Sequence, residues 1–204
     1  MTALRILAEA AWPDPDARGP EQLPPLPGFA ASSFNPLVAE TAERCLRARH
    51  GAAPAPGRTA LLLASASGDR ATARAIDEAA ADTGRRMPPL LFFQSNPNAV
   101  LGHIAARWGL TGPVVAISPT LVPPPGRVPQ DALDLAEQLL ADGDADQVLV
   151  IAAEQADTDG TEDGAAAPDG APGGTHGPAG PDGSGSGSGS GTTDRAVALL
   201  VALA

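Results

Sequence analysis

The sequence predicts an α/β fold in which helices cover both faces of a mixed five-stranded sheet. Five short, mostly apolar runs have the length and composition of strands, and longer segments between them repeat apolar residues at helical spacing. Clusters of glycine and proline separate the two kinds of segment. The core order is βαβαβαββ, so strands joined through helices are expected to be parallel, while the last pair can be antiparallel.

The segment at residues 91–118 is the most informative and is predicted to contain loop, helix, turn and strand. Asn96 can cap a helix that begins at Pro97, because proline has no N–H group to leave unpaired there. Gly109 and the pair Gly112-Pro113 end this helix. The apolar run at residues 114–117 is typical of a strand covered on both faces. One helix face carries Val100, Leu101, Ile104 and Trp108.

The other elements follow from the same patterns. Alanine and leucine leave helix as the competing interpretation of the first strand. A cap near Ser33 and Asn35, with Pro36 at the first helical position, marks the start of the first helix. We predict strands at residues 4–12, 59–65, 146–152 and 195–203, and helices at residues 36–49, 69–83 and 130–141.

Composition restricts the function. All 13 basic residues are arginines, which is typical of a high-GC bacterial genome, and the net charge of −11 argues against nucleic acid or an anionic membrane as a partner. We recognise neither a signal peptide nor an apolar run of about 20 residues, so a cytoplasmic location is expected.

No cofactor or metal is expected. Cys45 is the only cysteine, and it falls on the apolar stripe of a predicted helix, which indicates a buried and inert thiol. The turn at residues 65–68 lacks the glycine spacing and lysine of a phosphate-binding loop. Asp157, Asp159 and Glu162 only faintly resemble a calcium loop.

Residues 153–193 are predicted to be a disordered insertion, because they combine seven acidic side chains with a glycine-serine repeat and contain no basic residue. A single domain is therefore expected from residues 1–152 and 194–204.

Several pairs in the central segment resemble β-ketoacyl synthases, a family with the thiolase fold. Ile104-Ala105, Gly109-Leu110 and Gly112-Pro113 occur in the family's order, and residues 135–150 resemble a later family segment. The resemblance covers roughly residues 33–152 and 195–203. It implies one of the two repeated halves of a thiolase fold, with strand order 3-2-1-4-5.

The resemblance also implies that the family's nucleophilic cysteine has been replaced. Counting from Gly112-Pro113 places it at or near Leu121, whose side chain cannot attack a thioester. His50, His103 and His176 do not form the family's catalytic pair, so no condensing activity is expected. Ser118 and Thr120 are the hydroxyl groups nearest to this position.

In the family, the third strand is a sheet edge that pairs with a partner subunit. The implied interface residues are Phe92, Phe93, Gln94, Asn96, Asn98, His103, Val114, Val115, Ala116 and Ile117, some of which border the acyl tunnel in ketosynthase/chain-length-factor pairs. An unpaired apolar edge favours aggregation, which also points to a partner.

The preferred hypothesis is a catalytically inactive ketosynthase-like subunit of a bacterial type II polyketide or polyene pathway. It would bind a ketosynthase, or a ketosynthase/chain-length-factor complex, as a hetero-oligomer, and would support that enzyme's stability or product chain length. The alternative is an acyltransferase or hydrolase that binds acyl groups or acyl carrier protein and uses Ser118 or Thr120. A purely structural homodimer is a third option.

Overall fold

The computed structural model describes residues 3–81, 88–156 and 193–204. One compact unit consists of residues 1–155 and 194–204. The predicted disordered insertion lies almost entirely outside the described residues. Its predicted start is too early, because the strand before it continues to Glu154.

Five strands and five helices are formed by the described residues. The strands are β1 (Leu4–Trp12), β2 (Thr59–Ala64), β3 (Val114–Ile117), β4 (Gln147–Glu154) and β5 (Arg195–Leu203). The helices are α1 (Phe34–His50), α2 (Arg70–Ala81), α3 (Pro89–Gln94), α4 (Pro97–Trp108) and α5 (Gln130–Ala141). The predicted α/β class and mixed sheet are confirmed, and α3 is an additional helix where a loop was predicted.

The five strands form one sheet in the order β3-β2-β4-β5-β1. β2 is parallel to β3 and β4, whereas β5 is antiparallel to both β4 and β1. The predicted order 3-2-1-4-5 is wrong in the position of β1, which lies at the edge. The physical reason is charge, because β1 exposes Arg5 and Glu9, whereas the uncharged run of β4 is buried on both faces.

Two hydrophobic clusters lie on opposite faces of the sheet. The larger one joins the sheet to α1 and α4 through large side chains that include Leu37, Leu101 and Trp108. The smaller one joins β2, β4 and β5 to α5 through Ala132, Ala136 and Leu140. Helices therefore cover both faces, as predicted.

Local details differ from the prediction at two helices. Asn35 is not a cap, since α1 begins at Phe34 and Asn35 lies buried in its first turn. The sequence predicts that Ala71, Ala75, Ile76 and Ala79 face inward on α2, but they are only half-buried, and Thr72 is the only fully buried residue of this helix. No helix among the described residues is both long and apolar enough to cross a membrane.

The predictions for α4 and Cys45 agree with the structure. Asn96 accepts a hydrogen bond from the Asn98 N–H group, and Gly109 ends α4 in the left-handed conformation. Cys45 is fully buried, and burial raises the pKa of its thiol to about 12.

Candidate functional site

A cleft of about 250 Å³ lies at the carboxyl ends of the parallel strands β2 and β3. This end of an open α/β sheet is the usual location of ligand sites. Apolar walls come from residues that include Phe34, Leu63, Ala116 and Ile117, and polar groups come from Asn35, Ser65, Asp69, Gln94 and Ser118.

The amide of Asn35 forms the centre of a polar network in this cleft. Its Nδ2 donates to Asp69 Oδ2 at 3.0 Å and to the Gln94 carbonyl oxygen at 3.3 Å. Asp69 also accepts from the Thr72 N–H group at 3.0 Å and from Thr72 Oγ1 at 2.7 Å, so it caps α2. The network fixes the start of α1 relative to α2 and α3.

The turn after β2 holds a carboxylate from its own chain. Glu154, at the end of β4, accepts hydrogen bonds from the Ala66 and Ser67 N–H groups, both at 2.8 Å. Gly68 N–H donates to Ser65 Oγ at 2.9 Å. These N–H groups are the ones that a phosphate would use, so the structure supports the conclusion that this turn is not a phosphate loop.

Leu121 lies on the loop between β3 and α5, and it is 80% exposed. The same loop carries the two hydroxyl groups of the acyltransferase hypothesis. Thr120 N and Oγ1 both donate to Asp131 Oδ2, at 3.0 and 3.2 Å, and Ser118 lines the cleft. No histidine is among the cleft's described lining residues, and the group that accepts from Thr120 Oγ1 is the Asp131 carboxylate.

The two described histidines lie elsewhere. His103 is half-buried on α4, with its ring edge-on to Phe29 at 6.1 Å between centroids. His50 Nε2 lies 3.4 Å from Gln147 Nε2, and burial lowers its pKa, with a smaller contribution from the charge of Arg49. His176 lies outside the described residues.

β3 is an edge strand, as the resemblance implies, and its residues are exposed or half-buried, which corrects the prediction that both its faces are covered. The Pro113 and Ile117 carbonyl oxygens accept from the Leu61 and Ser65 N–H groups of β2, at 2.8 and 3.2 Å. Because alternate residues direct their main-chain groups to opposite sides, those of Val114 and Ala116 point away from β2. No other described strand pairs with β3.

An apolar surface lies on α3, in the segment that was predicted to be a loop. Leu90 and Phe93 are each 53% exposed and Phe92 is 71% exposed. Because the family resemblance places only the two phenylalanines, sequence reasoning missed Leu90. We call Leu90, Phe92 and Phe93 the apolar surface of α3; Val114, at the start of β3, is 39% exposed.

The other predicted interface residues divide into two groups. Asn98 is exposed, His103, Val115, Ala116 and Ile117 are half-buried, and Asn96 is occupied as the cap of α4. Gln94 is only 4% exposed, since its side chain accepts from Ala31 N and donates to the Gly28 carbonyl oxygen. The Gln94 side chain therefore forms hydrogen bonds inside the protein and is not presented on the surface.

Solved structures with a similar fold include a ketosynthase in complex with its chain length factor from Xenorhabdus doucetiae. That match has a TM-score of 0.61 and 18% sequence identity, and it covers 100% of this chain and 80% of that chain. This chain has a ketosynthase fold. A β-ketoacyl synthase from Burkholderia phymatum STM815 matches with a TM-score of 0.60 and 13% identity over 100% of this chain and 60% of that chain.

These comparisons confirm the predicted resemblance at the level of the fold, which is half of a thiolase fold. No protein-family profile matches the chain, and no curated protein sequence matches it. The chain spans 60% of the length of the Burkholderia phymatum enzyme, so this similarity does not show that the chain has the activity of a whole ketosynthase.

Proposed function

We propose that this protein is a non-condensing ketosynthase-like subunit that binds a ketosynthase, or a ketosynthase/chain-length-factor complex, in bacterial type II polyketide or polyene biosynthesis. Its role there is to support the stability of that complex or the chain length of its product. The observation that carries the proposal is the uncharged outer edge of β3, with which no further described strand pairs, in a chain that also exposes the apolar surface of α3.

The two edges of the sheet differ in a way that favours β3 as the docking edge. β1 carries the charged residues Arg5 and Glu9 and has a register shift between Ile6 and Ala8. Charges and bulges of this kind protect an edge from pairing. β3 consists of valine, valine, alanine and isoleucine, and β2 and β3 pair in an unbroken register.

The exposed side chains of α3 suit a protein partner. Phe92 and Phe93 are large aromatic residues, the type that dominates the energy of protein interfaces. Exposed apolar residues that cluster on one element commonly mark an interaction site. A partner strand paired with β3 would lie close to α4, which packs against β3.

The lack of condensing chemistry in the proposal rests on Leu121. A Claisen condensation requires a nucleophile and an oxyanion hole, whereas the position that the resemblance assigns to the nucleophile holds an exposed leucine on a proline-rich loop between β3 and α5. The complex from Xenorhabdus doucetiae supports the partner class, since that ketosynthase assembles with a chain length factor.

Co-purification tests the proposal. The tagged chain would be co-expressed with ketosynthases and chain length factors encoded near its gene, and complexes would be measured by size-exclusion chromatography with light scattering. We expect a stoichiometric complex with one of them. A lone monomer that none of these enzymes retains would contradict the proposal, and so would a covalent adduct with an acyl-thioester analogue.

A matched pair of variants tests the docking edge. Val114→Lys places a charge on the β3 edge and is expected to weaken the complex at least tenfold, because the lysine blocks strand pairing. Ile6→Lys places the same charge on the opposite edge, where Ile6 is also exposed, and should leave the complex intact. Equal effects of the two variants would show that β3 is not the docking edge.

A further inference from the structure

The cleft beside β2 and β3 contains a buried amide with an unused acceptor. Asn35 is only 2% exposed, and its Nδ2 is held by Asp69 and by the Gln94 carbonyl oxygen, which fixes the orientation of the amide. None of the hydrogen bonds among the described residues has Asn35 Oδ1 as its acceptor. In the same part of the chain, every side-chain oxygen or nitrogen that is fully buried does have a partner. Asn35 Oδ1 is therefore accessible from the cleft.

The walls of the cleft define what could bind against this oxygen. Phe34, Leu63, Ala116 and Ile117 offer apolar contact, whereas Asp69 adds a carboxylate, and no arginine is among the described lining residues. A ligand carboxylate or phosphate would meet negative charge without a balancing cation. An apolar molecule with one hydrogen-bond donor would satisfy both the walls and Asn35 Oδ1.

We propose that this cleft binds small neutral molecules with an aliphatic body and a terminal hydroxyl or amide group, which donates a hydrogen bond to Asn35 Oδ1. The cleft's volume of about 250 Å³ equals that of roughly eight water molecules at about 30 Å³ each. A six-carbon alcohol fits within that volume. Every lining group comes from this chain, so binding can be tested on the protein without its partner.

Three probes of similar size separate this ligand class from its rivals. Hexan-1-ol has the donor, 1-methoxypentane has the same number of heavy atoms but only an acceptor, and hexanoate carries a negative charge. Binding would be followed on the full-length, ¹⁵N-labelled protein through the amide signals of Asn35, Gly68 and Ser118. We expect saturable shifts with hexan-1-ol and a dissociation constant on the order of 1 mM.

The ether and hexanoate are each expected to bind at least fivefold more weakly than the alcohol. Ala116→Leu fills the cleft and should abolish the saturable shifts, whereas Ala80→Leu, at an exposed position of α2, should preserve them. If Ala116→Leu does not fold, the three probes on the unaltered protein still decide. Equal binding of alcohol and ether, tighter binding of hexanoate, or no saturable shift with hexan-1-ol would overturn the proposal.

Discussion

At the scale of single residues, Glu43 joins three side chains that lie on two helices. It accepts hydrogen bonds from Arg47 at 2.8 Å, from Arg107 at 2.8 and 3.0 Å, and from Trp108 Nε1 at 2.7 Å. The hydrogen bond from Arg107 is the largest of several causes that lower the pKa of Glu43 to about 2. The carboxylate therefore holds α1 against α4 while satisfying the buried indole.

This arrangement predicts a loss of stability in acid. Because the folded-state pKa of about 2 lies below the ordinary value of 4.5, the contribution is fully present above pH 4.5 and is lost as the pH falls towards 2. Its size is roughly 2 kcal/mol once solvent screening of the exposed arginines is included. Glu43→Gln should remove that amount at pH 7 and flatten the pH dependence of urea unfolding between pH 4.5 and 2.

The control for this prediction is Glu9→Gln on β1, where the side chain is exposed. It should change the free energy of unfolding by less than about 0.5 kcal/mol. A pH profile of Glu43→Gln that parallels the unaltered protein's would contradict the assignment.

At the scale of elements, the turn before β3 depends on a glycine for close approach to β2. A Cβ atom on Gly112 would lie 2.6 Å from the Ala60 nitrogen and from the Thr59 carbonyl group, all of which are main-chain atoms. Gly112 N–H also donates to the Thr59 carbonyl oxygen at 3.0 Å. β3 can therefore lie beside β2 only if this position has no side chain.

Gly112→Ala is expected to destabilise the protein by about 2–3 kcal/mol, because the methyl group forces two main-chain segments apart. Thermal unfolding monitored by circular dichroism would measure the change. Gly102→Ala is the matched control, since its Cβ would meet open space on α4 and alanine favours helix. The interpretation fails if the two variants unfold at the same temperature.

The elements differ in how well the sequence predicts them. Helix α4 was predicted at both ends, because Asn96, Pro97 and Gly109 act through local geometry. Helix α3 was missed, because a short run of leucine and phenylalanine has no periodicity to distinguish it from a loop. The position of β1 in the sheet depends on strands that are distant in the chain. In its own sequence, only the charges of Arg5 and Glu9 indicate a position at the sheet edge.

The candidate site was harder to predict than the elements. The family resemblance predicts a partner surface at Phe92, Phe93 and β3, which stays a prediction. No sequence pattern indicates that Asn35 contacts Asp69 or that Glu154 binds the turn at Ala66. Such contacts join residues from opposite parts of the chain. They become visible only once the sheet order is known.

At the scale of the whole molecule, the two faces of the sheet differ in how extensively helices cover them. α5 is the main cover of the second face, and it exposes Gln130, Asp134 and Gln138 outward. This polar outer face suits a helix that contacts solvent. The larger cluster on the first face encloses Cys45 between α1, β1 and β5.

The position of Cys45 makes its thiol a reporter of global unfolding. Because the side chain is fully buried and its pKa is about 12, a disulfide reagent should not label it in the native state at pH 8. We expect labelling to accelerate with urea in parallel with loss of the circular dichroism signal. Rapid labelling without urea would show that the packing of α1 on β1 opens locally.

The two ends of the acidic insertion meet at one point of the fold. Glu154 and Arg195 are paired across β4 and β5, and Gln155 and Asp194 both hydrogen-bond to Ser33 at the start of α1. Closing a longer chain between such fixed points costs only about 0.6 kcal/mol for each doubling of its length. For an insertion that is disordered, as the sequence predicts, natural selection can lengthen, shorten or rewrite this part of the gene at little cost to folding, provided that Ser33, Gln155 and Asp194 remain.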